Sequence, residues 1–139
     1  MEFQLAPELA RDGIVLAQWP LCNVLLLNDS QYPWFVLVPR VPNVKEIIDL
    51  NDEQQLLFWQ ESAQLSRFIK EVFTPDKLNV AALGNMVPQL HVHHIARFKH
   101  DAAWPKPVWG VNPMVPYRDE EIAVIKKHFE KVKSNELLN

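Results

Sequence analysis

The chain has 139 residues, of which 48% are hydrophobic and 22% are charged, and its formal net charge is −3. This composition is typical of one ordinary globular domain and excludes a disulfide-linked scaffold, because Cys22 is the only cysteine. The net negative charge argues against nucleic-acid binding, and no apolar run approaches the roughly 18 residues that a membrane span needs. The start does not resemble a signal peptide, so we expect a cytoplasmic location.

The first half of the sequence predicts three strands followed by a long helix. After a short helical turn at 7–11, the apolar runs at 14–17, 23–27 and 35–38 predict strands, and turn residues 28–31 join the last two as a hairpin. Asn51, with Gln54 three residues later, predicts the N-terminus of a helix over 51–73. The helix is expected to bury one stripe: Leu57, Glu61, Leu65, Phe68, Ile69 and Val72.

The second half predicts two more strands, an irregular segment and a final helix. The strands cover 78–83 and 89–98, residues 99–116 are rich in proline and tryptophan, and the helix covers 119–133. The inward face of that helix is expected to hold Ile122, Ile125, Phe129 and Val132. Because the early strands form hairpins, we expect an α+β fold with an antiparallel sheet, one long central helix and a C-terminal helix. We expect one domain over 1–139, with its core at about 14–98 and an appended segment and helix at 99–139.

The histidine-rich stretch at 89–98 is the strongest candidate for a functional site. Alternation along a strand puts His91 and His93 on one face, roughly 7 Å apart, and His94 on the other. Gln89 and Arg97 share the face of the pair. A metal would need further ligands and would lie beside the Arg97 cation, so we expect neither a metal nor a cofactor. An imidazole can instead attack phosphorus, with N–H groups of the Gly84 loop to stabilise the charge.

At this point the sequence resembles a known family. Residues 89–97, Gln-Leu-His-Val-His-His-Ile-Ala-Arg, resemble the His-x-His-x-His-x-x signature of the histidine-triad nucleotide hydrolases and transferases, in which x is apolar. Asn79 and the Gly84-Asn85-Met86-Val87 loop are similar to the family's Asn…Gly-Gln-Ser/Thr-Val. Residues 35–40 resemble its early strand. The resemblance covers roughly 21–98.

The resemblance implies roles for individual residues. His91 matches the histidine that becomes nucleotidylated, His93 matches the one that contacts phosphate, and Gln89 takes the place of the first triad histidine. Asn85 takes the place of the loop glutamine that touches phosphate. Further nucleotide or phosphate contacts are expected from Asn28 or Asp29 at the ribose, and from Asn79, Gly84 and Arg97, although an ion pair is an equally good role for Arg97.

Three departures from the family pattern bear on the chemistry. Gln89 can form hydrogen bonds but cannot carry charge. Trp34 stands where the early strand usually has histidine. Met86 replaces the loop serine or threonine that helps to protonate an amine leaving group, so we expect phosphoanhydride cleavage rather than phosphoramidate cleavage.

The resemblance therefore implies a homodimeric nucleotide phosphoanhydride hydrolase with a nucleotidyl-histidine intermediate, and dinucleoside polyphosphates are candidate substrates. Its partner would be a small nucleotide substrate, with no nucleic acid and no membrane. A nucleotide-binding module with weak or no catalysis, a phosphoramidase or nucleotidyltransferase, and a metal-dependent enzyme remain alternatives. Trp104 and Trp109 would either pack over the sheet or a dimer seam, or form a wall on which a base stacks.

Overall fold

The structure is a computed structural model that describes residues 2–137, with side chains described for residues 2–131. Within that range the chain forms a five-stranded antiparallel sheet and three α-helices, so the predicted α+β fold is confirmed. In chain order the elements are α1 (Pro7–Asp12), β1 (Gly13–Gln18), β2 (Cys22–Leu27), β3 (Trp34–Pro39), a short 3₁₀ helix (Ile47–Asp49), α2 (Asp52–Phe73), β4 (Lys77–Ala81), β5 (Val92–Arg97) and α3 (Asp119–Leu137).

The sheet has the strand order β1-β2-β3-β5-β4, which places β5 between two neighbours. The predicted hairpin is β2–β3, and both strands are buried along their whole length, as their continuous apolar sequence indicates. On the other side of β3, Val36 lies opposite His93 and Trp34 lies opposite Ile95. The histidine-bearing strand is therefore held on both edges by backbone hydrogen bonds.

Helix α2 begins and ends where its sequence predicts. The Asn51 side chain accepts from the Gln54 N–H at 2.8 Å, and the Gln54 side chain accepts from the Asn51 N–H at 3.0 Å, which forms a capping box. The helix stops at Phe73 because Thr74 adopts a left-handed conformation with φ 45° and Pro75 follows. Across 22 residues it covers one face of the sheet.

A buried carboxylate ties α2 to the sheet. Glu61, in the predicted inward stripe, is 2% exposed and accepts from the backbone N–H groups of Leu21 and Cys22, both at 2.9 Å. Burial, together with the nearby Glu61 carboxylate, raises the pKa of the Cys22 thiol. Cys22 therefore acts as a small apolar residue at the start of β2.

The two largest boundary differences from the sequence expectation are at the start of β5 and the end of α3, and β4 also ends two residues early, at Ala81. Strand β5 begins at Val92 and not at 89, because its partner β3 ends at Pro39, which has no N–H, and the Leu90 N–H donates to the Val44 carbonyl instead. Helix α3 extends beyond 133 to Leu137. Its residues Ile125 and Phe129 are buried as predicted, whereas Val132 lies outside the residues whose side chains are described. None of the described helices has the length and apolar character needed to cross a bilayer.

Candidate active site

His91 has one ring nitrogen bound to the protein. Its Nδ1 lies 2.7 Å from the backbone carbonyl oxygen of Gln89. A carbonyl can only accept, so we assign the proton to Nδ1 and the lone pair to Nε2. No described residue forms a hydrogen bond with that Nε2, and the residue lines an open cleft. His91 is therefore held in the tautomer that a nucleophile needs.

His93 is held in the opposite tautomer. The Trp34 indole Nε1–H, which can only donate, lies 2.9 Å from His93 Nδ1, so the proton of the neutral ring is on Nε2. Burial, with smaller contributions from the neighbouring His91 and His94, lowers the pKa of His93 to about 3. His93 is thus a neutral N–H donor at neutral pH.

The two rings are closer than the regular-strand estimate. Their centroids lie 5.0 Å apart with an interplanar angle of 76°. His91 precedes the first residue of β5, so the ideal strand repeat does not govern the spacing. The predicted placement of the pair on one face is confirmed, because both rings line one cleft.

The cleft has a volume of about 470 Å³ and a mixed lining. Most of the lining is apolar or aromatic and comes from Leu9, Leu27, Trp34, Leu83, Val87 and Trp109, with Met86 and Met114 beside them. Helix α1 adds the carboxylates of Glu8 and Asp12, and the described lining contains no lysine or arginine. A flat apolar group fits this lining better than a densely anionic one.

The loop before the histidines lines the same cleft through residues 84–87. Gly84 has φ +76°, in the region that side chains rarely adopt, so glycine is required for the loop to turn there. Asn85 lies next to it in the lining, and its phosphate contact stays a prediction. Met86 is 93% exposed and supplies no hydroxyl proton.

Arg97 lies on the predicted face but is committed to an ion pair. It is 2% exposed, and its Nε donates to the Asp101 carboxylate at 2.8 Å. Its two other nitrogens donate to Asn79 Oδ1 at 2.9 Å and to the Lys106 carbonyl at 2.8 Å. A phosphate contact by Arg97 would break these bonds, and neither Arg97 nor Asn79 lines the cleft. The structure thus gives Arg97 the ion-pair role and not the phosphate role.

Asp101 holds the segment after β5 in place. Its carboxylate also accepts from the backbone N–H groups of Phe98, Ala103 and Trp104. Desolvation opposes ionisation, but these bonds and the Arg97 guanidinium outweigh it and lower the pKa of Asp101 to about 2. The segment is therefore folded back over the sheet, and it carries Trp109 to the cleft.

The two tryptophans of that segment have different roles. Trp104 lies against Arg97, with its ring centroid 5.8 Å from the guanidinium carbon, as packing over the sheet predicts. The Trp109 ring packs in T-shaped pairs with the rings of His93 and Trp34, at centroid distances of 5.1 Å and 5.7 Å, and it lines the cleft. Of the two alternatives in the sequence, packing applies to Trp104 and the cleft wall to Trp109.

The candidate ribose contacts lie elsewhere. Asn28 Oδ1 accepts from the Tyr117 N–H at 2.9 Å, and the buried Asp29 carboxylate accepts from Gln31 and from the Val115 N–H at 3.3 Å. Both side chains anchor residues 113–117, and neither lines the cleft. The acidic residues that do line it, Glu8 and Asp12, come from α1.

His94 faces away from the pair, as alternation predicts. Its Nδ1 lies 3.1 Å from the Val92 carbonyl and its Nε2 lies 2.8 Å from the Ser62 hydroxyl on α2. Burial lowers the pKa of His94 to about 4, against the opposing effect of the Val92 hydrogen bond. This neutral ring connects β5 to the long helix.

The sequence did not indicate three contacts that shape the site or hold the strand behind it. Helix α1 was expected as a short turn, but nothing in that turn tells which surface it covers. Asp101, four residues after Arg97, could have been found as an ion-pair partner. The third is Ser62, the partner of His94. Among the described residues, no group of three His, Cys, Asp or Glu side chains is placed to hold a metal ion.

Comparison with known proteins places this geometry in a family. The sequence model of the HIT domain matches residues 9–100. No curated protein sequence matches the chain. Among solved structures, a histidine triad protein from Marinobacter aquaeolei is 51% identical, with a TM-score of 0.92 over 95% of this chain and 96% of that one.

Two further structures agree. A histidine triad protein from Bradyrhizobium japonicum is 45% identical, with a TM-score of 0.93 over 94% of this chain and 98% of that one. A histidine triad protein from Sinorhizobium meliloti is 37% identical, with a TM-score of 0.90 over 93% and 96%. The chain belongs to the histidine-triad (HIT) domain family.

Proposed function

We propose that the chain is a nucleotide hydrolase that cleaves a phosphoanhydride through a nucleotidyl-histidine intermediate on His91. One observation supports this above the others. The Gln89 carbonyl fixes the Nδ1 proton of His91, which leaves the lone pair of Nε2 free in a cleft beside the Gly84 loop. A neutral imidazole with a free nitrogen is a competent nucleophile near neutral pH.

The reaction has two steps. In the first, Nε2 of His91 attacks the α-phosphorus, an N–P bond forms, and the P–O bond to the leaving phosphate breaks with its electron pair on oxygen. The ring then carries a positive charge, which the Gln89 carbonyl stabilises through Nδ1–H. In the second, water attacks the phosphorus and gives up a proton to solvent, the N–P electron pair returns to Nε2, and a nucleoside monophosphate leaves.

Charge on the phosphoryl oxygens is stabilised by neutral donors in this proposal. They are the Nε2–H of His93, the Asn85 amide and the backbone N–H groups of the Gly84 loop. Fixed donors in a partly desolvated cleft need no reorganisation when charge develops. Gln89 takes the first triad position, and its contribution to charge is the carbonyl that holds His91.

The cleft lining bears on the substrate. Glu8 and Asp12 lie in the lining, which contains no described lysine or arginine, although Asp12 is ion-paired with Arg11 outside the cleft. The charge of Glu8 therefore disfavours a long phosphate chain there. We therefore expect a short anhydride to be a better substrate than a dinucleoside polyphosphate. Because Met86 has no proton to give, a leaving group of low pKa is favoured over an amine. The apolar lining with Trp109 provides a surface for the base.

The test uses the substitution His91→Ala with His128→Ala, an exposed histidine on α3, as its control. Short nucleoside anhydrides, dinucleoside polyphosphates, adenylyl phosphoramidates and sugar nucleotides are screened for turnover, and quenched protein is examined by mass spectrometry. We expect turnover and a nucleotidyl adduct in the parent and in His128→Ala, and neither in His91→Ala. Retained turnover in His91→Ala would contradict the nucleophile assignment.

A second candidate function is a nucleotide-binding module without catalysis. It is favoured by the loop position at which Met86, 93% exposed, offers no proton donor. Calorimetry with adenosine 5′-monophosphate separates the two functions. Tight binding by the parent without turnover of any screened compound would favour the module, whereas turnover with an adduct favours the hydrolase.

We also propose that the protein is a homodimer. Strand β4 is the last strand of the sheet, and no described residue pairs with its outer edge. Val80 on that strand and Leu83 just after it are 42% and 47% exposed. An unpaired strand edge with apolar neighbours is suited to pair with a second copy. Sedimentation analysis should give a dimer, and Val80→Lys should shift it towards the monomer.

A further inference from the structure

Both polar atoms of the Gln89 side chain contact the start of the chain. Its Oε1 accepts from the Ala6 N–H at 2.8 Å, and its Nε2 donates to the Gln4 carbonyl at 2.8 Å. The carbonyl of one residue and the N–H of the second residue after it point the same way in an extended segment. The planar amide therefore pairs with this segment as a neighbouring strand would.

The contact fixes the residue at which α1 begins. Ala6 is the N-cap of the helix, its side chain supplies no cap, and its carbonyl accepts from the Ala10 N–H at 3.0 Å. The other end of α1 runs directly into Gly13, the first residue of β1. A helix of six residues has little stability of its own, so it depends on attachment at both ends. The sheet provides the attachment at one end, and at the other end Gln89 provides hydrogen bonds beside the apolar packing of the start of the chain.

Helix α1 is one wall of the cleft. Glu8, Leu9 and Asp12 all line it, and Leu9 is buried at 6% exposure against the cluster that contains Trp34. Phe3, Leu5 and Ala6 pack against the same cluster. The position of this wall relative to His91 therefore depends on where the start of the chain is held.

We propose that Gln89 is a positioning residue that holds residues 4–12 as the substrate-binding wall of the cleft. Its backbone carbonyl orients His91 and its side chain orients α1, so one residue sets the distance between nucleophile and wall. A histidine here could not do the same, because its two ring nitrogens diverge and cannot pair with both backbone groups. The inference rests on the proposed function only for the identity of what the wall binds.

The experiment breaks the same contact from each side. Gln89→Met removes both side-chain hydrogen bonds while keeping a side chain of similar length. Ala6→Pro removes the N–H that donates to Gln89, and the native φ of −55° suits proline. The double variant completes the cycle, and Gln60→Met, at an exposed glutamine on α2, is the matched control. Amide hydrogen exchange at 8–12 is measured alongside kcat and KM for the best substrate of the screen.

We expect exchange at 8–12 to accelerate at least tenfold in both single variants and KM to rise about tenfold, with kcat within about threefold of the parent. In the double variant, exchange and KM should be no higher than in the more affected single variant, because both substitutions break the same contact between Gln89 and the start of the chain. Gln89→His should behave like Gln89→Met. Gln60→Met should match the parent in every measurement.

A direct contact of the Gln89 side chain with phosphate predicts the opposite pattern and would overturn the proposal. Gln89→Met would then lower kcat at least a hundredfold, Gln89→His would retain activity, and Ala6→Pro would leave kinetics and exchange unchanged. The exchange measurement needs no turnover. If the parent protein turns over no substrate but exchange still accelerates in the variants, the result supports the wall and rejects the proposed function. If the parent is active but exchange in the variants is unchanged, the result rejects the wall alone.

Discussion

His93 and His94 are neighbours on β5, both buried and both neutral, yet they lie in two different regions of the molecule. His93 faces the cleft, where Trp34 holds its Nδ1 and its Nε2–H is left without a described partner. His94 faces α2, where Val92 and Ser62 engage both of its ring nitrogens. The strand, the residue type and the direction of the pKa shift are the same.

The difference shows that a shifted pKa does not distinguish a functional histidine from a structural one. Burial is the largest cause of the shift on both faces. What separates the two is the unshared nitrogen, because only a ring with an unengaged N–H or lone pair can act on a ligand. Each of the following predictions tests whether the two faces are as different as this argument requires.

The largest effect is expected from one substitution made on each face. His93→Asn should lower kcat by about 10²–10³-fold, as the loss of one donor to a developing oxyanion does. His94→Asn should leave kcat within about threefold. Steady-state kinetics on the best substrate measure both. Equal losses of kcat in the two variants would contradict the assignment of His93 to function and His94 to structure.

Stability against pH tests what the two histidines share. Their folded-state pKa values, about 3 and about 4, lie below the ordinary value of 6.5, so the unfolded chain binds more protons between pH 6.5 and those values. Stability is therefore full above pH 6.5 and falls as the pH drops. Between pH 8 and 5.5 each histidine should cost about 1.4 kcal/mol, or about 3 kcal/mol together.

Urea unfolding at the two pH values measures this loss, and His94→Asn should remove about half of it. Asp101, with a pKa of about 2, contributes its own loss only at lower pH, outside this window. A free energy of unfolding that does not change between pH 8 and 5.5 would show that the buried rings accept protons freely.

Much of the fold was predictable from the sequence, because local rules and tertiary packing agree there. The Asn51 and Gln54 capping box, the continuous apolar run of β2 and the alternation around His91 and His93 each follow from nearest neighbours along the chain. The family signature then supplied the expected fold and the candidate nucleophile.

The site was predictable only in part, because its walls come from distant segments. Nothing near Arg97 in the sequence tells whether its charge meets phosphate or the buried carboxylate of Asp101. The pairing of Gln89 with Gln4 and Ala6 spans more than 80 residues, and the indole of Trp34 reaches His93 across 59. Such contacts depend on how the sheet brings the segments together, which local patterns do not encode.

A smaller effect is expected on the helix face alone. Ser62→Ala removes the only described side-chain partner of His94 Nε2 and leaves a buried ring nitrogen unsatisfied. The free energy of unfolding should fall by about 1–3 kcal/mol, while kcat stays unchanged. Chemical denaturation measures the first and steady-state kinetics the second. Ser66→Ala on the same helix is the control, and a loss of activity in Ser62→Ala would link the two faces.

The smallest effect is expected from Trp34→Phe, which acts on the tautomer of His93 and not on its presence. The phenyl ring keeps the packing against His93 and Trp109 but has no N–H, so Nδ1 loses the donor that opposes its protonation. Part of the His93 population should then carry its proton on Nδ1, where it cannot reach the cleft. We expect kcat to fall about five- to tenfold, in line with about 1 kcal/mol for one hydrogen bond, and the pKa of His93 to rise from about 3.

Nitrogen NMR of the imidazoles measures both the tautomer and the pKa of His93, with Trp59→Phe, at an exposed position on α2, as the matched control. If His93 keeps its Nε2 proton and its low pKa in Trp34→Phe, burial alone sets the state of the ring and the indole only fills space.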